Sequence, residues 1–486
     1  MEEKHATKKS RTDHGSCVTA AAASGLTGRR KGHVDVISGL PDCLLGIILS
    51  LLPTKEAART SLLSSRWRRV WNTSPLYLSD DCIWSKKIFA RRIFGRVTPW
   101  SRDKRWRFHT ISHILGSHRG SVQRFSLIHT RFLDHDLSVA EGWFCILAQK
   151  HVQEIELRFP NDYSPAQRWI PAFLFACESL KKLSLHNCLF PAEASLNLIN
   201  LLELDLHETE VKDKGLRKIL SCCTALQLLS IEDRSLHRIH LRSRSLRVLR
   251  VIDCFDLKEL FIEDAPNLQR LLGSSLARKE CVKIVSAPKL EMLGILTMKI
   301  RRIEVGTSVF ETSKERTDVS LSTLEHSVKI LSVVVNLGAH EEVKMLAYLL
   351  RCFPCLEKLH IQCSHNIDGN SANNGVLDYW EQIDSIDCVD HHLKIVKITM
   401  YDGLVGELNL AKYLIAKARV LTTLRIECES KFGKRWTSKQ RSLLRFQDRA
   451  SLDAQITFVK YKTLFWRDSL PKFDLSSADP FDIGTC

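Results

Sequence analysis

No stretch of this chain is apolar for long enough to cross a bilayer. The longest run, Cys43 to Leu52, has about half the required length and reads as one face of a helix. A secretory signal is also missing, since Ala20 to Leu26 is short and weakly hydrophobic. A reducing compartment, nucleus or cytoplasm, is therefore expected, with no membrane partner. The sixteen cysteines show no disulfide spacing, so most are expected to be buried thiols. Catalytic signatures are lacking too: there is no phosphate-cradling glycine loop, no His-Glu-x-x-His and no Gly-x-Ser-x-Gly turn. Cys352 and Cys355 have the spacing of half a zinc or redox site, but no second pair matches them, because Cys222 and Cys223 are adjacent. His391 and His392 have only Asp387 and Asp390 nearby. No catalytic residue, metal or cofactor is expected.

Acidic residues are scarce in one part of the chain only. In residues 1–33 seven Lys and Arg face three acids, and in residues 34–110 fourteen face six, which places +12 of the net +16 there. The remainder is close to balanced, which argues against a uniformly basic nucleic-acid surface. Residues 1–33 have almost no large apolar side chain and are expected to be a disordered basic tail; Lys8, Lys9 and the cluster Arg29, Arg30, Lys31 could serve nuclear import or solubility. In residues 82–110, Trp84, Phe89, Phe94, Trp100, Trp106 and Phe108 alternate with nine Lys and Arg. That mixture suits single-strand binding through bases such as Arg102, Lys104, Arg105 and Arg107. The preferred reading is a linker helix with Phe89, Ile93 and Val97 on its buried side and the basic residues solvated.

The most ordered pattern is Asp35 to Asp81. Pro41 suits a first helical turn, and Leu44, Leu45, Ile48, Leu51 and Leu52 then recur at helical spacing. Pro53 stops that helix, and Thr54 is expected to cap the next, which carries Ala57, Ala58, Ser61, Leu62 and Leu63. Ser64 to Trp71 follows. Three short helices cannot bury this much apolar surface on one another, so part of it should be a docking surface. Leu40-Pro41-Asp42, the run Ile47 to Ser50, Leu52 to Ala57 and Arg66-Trp67 resemble an F-box, and the wording from Leu52 to Arg68 resembles the plant class that adds leucine-rich repeats and an FBD region. The resemblance implies docking on the Skp-type adaptor of a cullin–RING ubiquitin ligase through Leu40, Pro41, Leu44, Ile48, Leu51, Leu52, Leu63 and Trp67.

From residue 122 an apolar-x-x-apolar-x-apolar unit recurs: Val122/Phe125/Leu127, Val152/Ile155/Leu157, Leu180/Leu183/Leu185, Leu201/Leu204/Leu206, Leu226/Leu229/Ile231 and Leu246/Leu249/Val251. It continues as Leu257/Leu260/Ile262, Leu290/Leu293/Ile295, Val328/Leu331/Val333 and Leu356/Leu359/Ile361. Most spacings fit leucine-rich repeats, each giving one strand of a parallel sheet; the eleven-residue steps from Leu246 to Leu257 to Leu268 make the array irregular. The intervening residues should face the concave side: Lys182, Ser184, His186, Glu203, Asp205, His207, Val248, Arg250, Ile252, Lys358, His360 and Gln362. Of these, Lys182, His186, Glu203, Asp205, His207, Arg250, Lys358 and His360 are the candidate target contacts.

Residues 364–390 read as a polar loop. Beyond it, the strand 392–398, the turn Gly403 to Glu407, the helical pattern Leu408 to Ala418 and the strand 421–428 resemble the FBD region and a terminal cap, although Gly403-Leu404-Val405-Gly406 is less polar than usual there. Ala478 to Phe481 also resembles tails of this class.

The fold class expected is α/β: a leucine-rich-repeat solenoid with an N-terminal three-helix F-box and a C-terminal FBD capping region. The expected divisions are tail 1–33, F-box 34–81, linker helix 82–121, repeats 122–385, FBD region 386–460 and tail 461–486. The function implied is substrate recognition in an SCF-type ligase, with cullin and RING protein reached through the adaptor and thioester chemistry left to the conjugating enzyme. Alternatives are a repeat scaffold that recruits no ligase and, less favoured, a nucleic-acid binder using 82–110.

Overall fold

The computed structural model describes residues 36–83, 100–129, 137–159, 170–191, 195–273, 281–311, 326–364, 379–428, 433–460 and 479–481, except 38, 171, 234, 255, 299, 307 and 384. The basic tail, Phe89, Ile93, Val97 and most of the C-terminal tail lie outside these residues.

The chain begins with three short helices: α1 (Asp42–Ser50), α2 (Thr54–Thr60) and α3 (Ser65–Thr73). Pro41 and Pro53 stand just before α1 and α2, where a missing N–H costs nothing. Ser64 caps α3 by accepting the Trp67 N–H at 3.2 Å. Thr54 is not a cap: its hydroxyl donates to the Tyr77 carbonyl, joining α2 to the strand that follows. Arg66 pairs with Asp42 at 2.7 Å and also donates to the Leu40 carbonyl, which ties α3 to the start of α1.

That strand, β1 (Leu76–Ser79), is the first of a fourteen-stranded sheet, pairing in parallel with β2 (Val122–Leu127). The helical module is therefore continuous with the solenoid. Asp80, fully buried, accepts the N–H groups of Ile128 and His129, both at 2.8 Å. His118 shares a hydrogen with the Ser74 carbonyl at 2.9 Å, and its ring lies 5.2 Å from that of Trp71. Gly120 is needed here because a Cβ would collide with the Ser74 carbonyl.

The sheet continues through β3 (Glu154–Arg158), β4 (Lys182–His186), β5 (Glu203–His207) and β6 (Leu228–Glu232). The next strands in sequence are β7 (Arg238–Arg242), β8 (Val248–Ile252), β9 (Glu259–Asp264), β10 (Arg270–Gly273), β11 (Cys281–Ile284), β12 (Met292–Thr297), β13 (Arg302–Val305) and β14 (Ser308–Glu311). Only the even-numbered ones up to β12 join the long sheet; β7, β9, β11, β13 and β14 form a second sheet of five. The long sheet then runs through β15 (Ile330–Val335), β16 (Lys358–Cys363), β17 (Ile395–Thr399), β18 (Thr423–Cys428) and β19 (Gln455–Lys460), all in parallel.

One apolar row fixes this register. Phe125, Ile155, Leu183, Leu204, Leu229, Leu249, Leu271, Leu293, Leu331, Leu359, Val396 and Leu424 are Cα partners in turn, and all are buried. A one-residue slip in any strand would turn its whole apolar set outward. Each buried leucine contributes roughly 1.5–3 kcal/mol, so the array is held by repetition of this row.

The structure corrects the reading of the middle repeats. Leu257/Leu260/Ile262 is buried on the second sheet and is no member of the long one, so the eleven-residue steps reflect alternation between two sheets. At β12 the pairing shifts between Leu293 and Leu296, which puts Leu296 in the core and releases Ile295 to the other side.

Part of the expected loop 364–390 is helical, as Tyr379–Gln382 and Asp387–His391. Helix Val405–Lys417 follows the Gly403 turn. Gly403 has φ +75°, and a Cβ on Gly406 would collide with the Leu337 carbonyl, so glycine rather than polarity is required there. Glu407 accepts the N–H groups of Asp402 and Leu404 at 2.9 and 3.0 Å. The C-terminal region thus ends the array by adding its own strands.

Candidate functional site

Two faces of this architecture are built differently. On the helical module, Leu45, Leu49, Ala57 and Val70 form a small buried core. Leu40 and Trp67 pack against it, so two of the eight expected adaptor contacts also hold the module together. The opposite side is exposed: Leu44, Ile48, Leu51, Leu52 and Leu63 are all open to solvent, and so is Pro41. Val36, Ile37, Ile47 and Leu62, which are not among the expected adaptor contacts, are exposed with them, Leu62 at 81%. Residues 36–63 thereby supply nine of the twenty-one large exposed apolar side chains found among the described residues. Such a concentration on α1 and the turns that flank α1 and α2 marks an interaction surface.

The long sheet's open face carries charge over its first strands. Lys182 pairs with Glu203 at 2.7 Å, and Arg124 with Glu156 at 3.0 Å. Hydrogen bonds from Arg124 and Ser126 outweigh burial and hold the Glu156 carboxyl below the usual value. His186 and His207 stand edge to face with centroids 5.1 Å apart. Burial pushes His186 down to about 4, with the Arg158 charge acting the same way, whereas hydrogen bonding to Glu232 raises His207. Glu203 and Asp205 lie beside Lys182 and Ser184 in register, so these expected contacts form one patch. Arg250 is two strands beyond Asp205, in register with Ser230, which is itself opposite Asp205. Its Nε is buried with no hydrogen-bond partner among the described residues. Ile252 is buried and offers little to a partner.

Lys358 and His360 belong to a different environment. Both point to Asp479, with Lys358 Nζ at 3.2 Å and His360 Nε2 at 3.1 Å from Oδ2. These hydrogen bonds and charges outweigh burial and hold the Asp479 carboxyl well below the usual carboxylate range. Phe481 packs beside them in a second apolar cluster with Leu272, Met292 and Ile330, and Val248 and Ile295 border it. Sequence reasoning missed this arrangement. The available signal was the two-sided apolar composition of Leu271-Leu272, Met292-Leu293 and Ile330-Leu331.

Helix Trp100–Ser117 leads into β2, with Phe108 buried and Trp106 half exposed. Arg107 is not on a solvated face: it is buried and donates to the His129 carbonyl at 2.9 Å. The thirteen cysteines described are free. Burial raises Cys177 to about 11 and Cys223, Cys254 and Cys428 to about 12, which keeps them protonated and unreactive. Cys355 lies 3.8 Å from His326 while Cys352 is buried in the preceding helix. Among the described residues no group of three His, Cys, Asp or Glu is arranged to hold a metal, and no helix is long and apolar enough to cross a membrane.

Three family models match in chain order. Residues 37–79 match the F-box domain, 140–361 the LRR repeats of FBD-associated F-box protein At5g56370, and 381–426 the FBD. Among relatives from Arabidopsis thaliana, F-box/FBD/LRR-repeat protein At1g13570 is 25% identical over 88% of this chain and 99% of its own length. F-box protein At5g03100 is 32% identical over 55% of this chain and 78% of its own. F-box/LRR-repeat protein 13 is 29% identical over 55% of this chain, which spans only 53% of that relative's length.

Proposed function

From the premise that this chain belongs to the plant F-box proteins with leucine-rich repeats and an FBD region, we propose that it is the substrate-recognition subunit of an SCF-type ubiquitin ligase. One observation carries the reading: nine large apolar side chains stay exposed on a module whose own core is complete with Leu45, Leu49, Ala57 and Val70. A Skp-type adaptor would bury Leu44, Ile48, Leu51, Leu52 and Leu63, with Leu40, Pro41 and Trp67 setting the geometry. Most of the binding energy would rest in a few of these anchors.

The subunit itself performs no bond chemistry in this reading. Its contribution is position. Because β1 joins the solenoid's sheet and Asp80 fastens the junction, a protein held on the open face keeps a set distance from the adaptor, cullin and RING protein. Proximity then raises the rate of ubiquitin transfer. Residence in the nucleus or cytoplasm is part of this proposal.

The test is recovery of the Skp-type adaptor and cullin on the wild-type chain and on a Leu51→Asp/Leu63→Asp variant. The reading expects recovery by the first and loss by the second at unchanged thermal stability. A folded wild type that recovers neither protein would leave a repeat scaffold without ligase recruitment.

A further inference from the structure

The open face changes character at its middle. In β10, β12 and β15 the side opposite the core carries large apolar residues: Leu272, Met292 and Ile330 are at most 6% exposed, in a cluster separate from the main core. What covers them is Phe481, brought back from the C-terminus. Eighteen residues separate Lys460, at the end of the last strand, from Asp479, a contour of up to roughly 60 Å at 3.3–3.6 Å per residue. Returning from β19 to β10 crosses six strand spacings of about 4.8 Å, well within that reach.

The seated segment is short and chemically definite. Asp479 uses both oxygens: Oδ1 accepts the Phe481 N–H at 3.2 Å, and Oδ2 faces Lys358 and His360. Pro480 between them fixes the local backbone. The Phe481 ring lies on the apolar floor, tilted, 5.8 Å from the His360 ring. The surrounding charge is mainly positive. Within β8 to β18, the residues facing this side carry Arg250, Arg270, Lys358, Lys397 and Arg425, against Glu427 alone, which pairs with Lys397 at 3.5 Å and Arg425 at 2.7 Å. On the first strands, by contrast, Glu156, Glu203, Asp205 and Glu232 offset the cations.

We infer that the middle of the open face is a binding site for an extended peptide bearing a carboxylate two residues before an aromatic ring, and that Asp479-Pro480-Phe481 fills it in cis. The inference rests on the reading of this face as the target surface. It names what the target presents there: an acidic–aromatic segment that displaces the tail. An apolar floor supplies affinity, and Lys358 with His360 supplies selection for the carboxylate, since an uncharged residue would leave the buried His360 and the half-buried Lys358 without their acceptor. A ligand tethered in cis competes at an effective concentration on the order of millimolar. Only a target that binds well, or is itself held by the first strands, would displace it.

The test uses full-length protein and a fluorescent peptide with the sequence of residues 474–485. The Asp479→Ala/Phe481→Ala chain, whose site is vacated, is expected to bind this peptide at least tenfold more tightly than wild type, and the Phe481→Ala chain, which vacates only the apolar floor, more tightly than wild type by a smaller factor. Adding Lys358→Ala should weaken binding at least fivefold, and a peptide carrying Asp479→Asn and Phe481→Ala should not bind. Equal binding by wild type and Asp479→Ala/Phe481→Ala would overturn the inference. So would no binding, or binding of both peptides alike, by an Asp479→Ala/Phe481→Ala chain with the wild-type unfolding transition. Adaptor recovery is measured on the same preparations, so failure of the peptide site is distinguishable from failure of the ligase reading.

Discussion

The helical module and the open sheet face solve opposite problems with the same kinds of residue. The module leaves apolar side chains in water beside a finished core, from Leu52 at 36% to Leu62 at 81% exposure. The sheet face covers the apolar floor of its middle strands with the chain's own Phe481 and lays paired charges over its first strands. A surface meant for a partner of fixed shape can remain open and rely on hydrophobic burial. A surface meant to discriminate gains from charge, because wrong partners then leave charges unpaired.

Substitutions can break this contrast in order of effect. Leu51→Asp with Leu63→Asp should weaken adaptor binding at least a hundredfold by calorimetry, with urea stability within about 0.5 kcal/mol of wild type. Leu45→Ala, one side chain inward, should do the reverse and cost about 2–5 kcal/mol of module stability. Next comes the junction. Asp80→Ala leaves two backbone N–H groups without their acceptor and should cost about 2–4 kcal/mol, read as an earlier urea transition. Adaptor affinity should change little if the module itself survives.

The smaller effects belong to the sheet face. His186 binds its proton less readily folded than unfolded, so it lowers stability as pH falls from about 6.5 toward its folded value of about 4. His207 is raised by Glu232, so its contribution is present below about 6.5 and is lost as pH rises through its folded value. In proton titrations by NMR the two rings should therefore shift in opposite directions from an ordinary histidine, and His207→Gln should remove only the upper step. Smallest of all is Lys182→Ala, whose pair with Glu203 is half exposed on both sides and should change stability by less than about 1 kcal/mol in urea unfolding.

Much of this was legible from local pattern. The apolar triplets locate the strands of the long sheet, and the 3.6-residue spacing finds α1 and its two faces. Alternation does not say which sheet a strand joins, however. Leu257/Leu260/Ile262 has the same spacing as Leu246/Leu249/Val251, and only the three-dimensional coil separates them. Nor does it reveal an extra residue such as the one at Gly294, which exchanges the sides of Ile295 and Leu296. Thr54 looked like a cap because its position suits one; the Tyr77 carbonyl, 23 residues away, takes its hydroxyl instead. The contact between Lys358 and Asp479 spans 121 residues, and no periodicity carries information over that distance.

The most direct test of the two-face account is amide hydrogen exchange on the full chain with and without the Skp-type adaptor. The account predicts added protection confined to residues 36–63 and their immediate neighbours, with exchange across β4 to β16 unchanged. Protection appearing on the sheet strands instead, with none over 36–63, would contradict it.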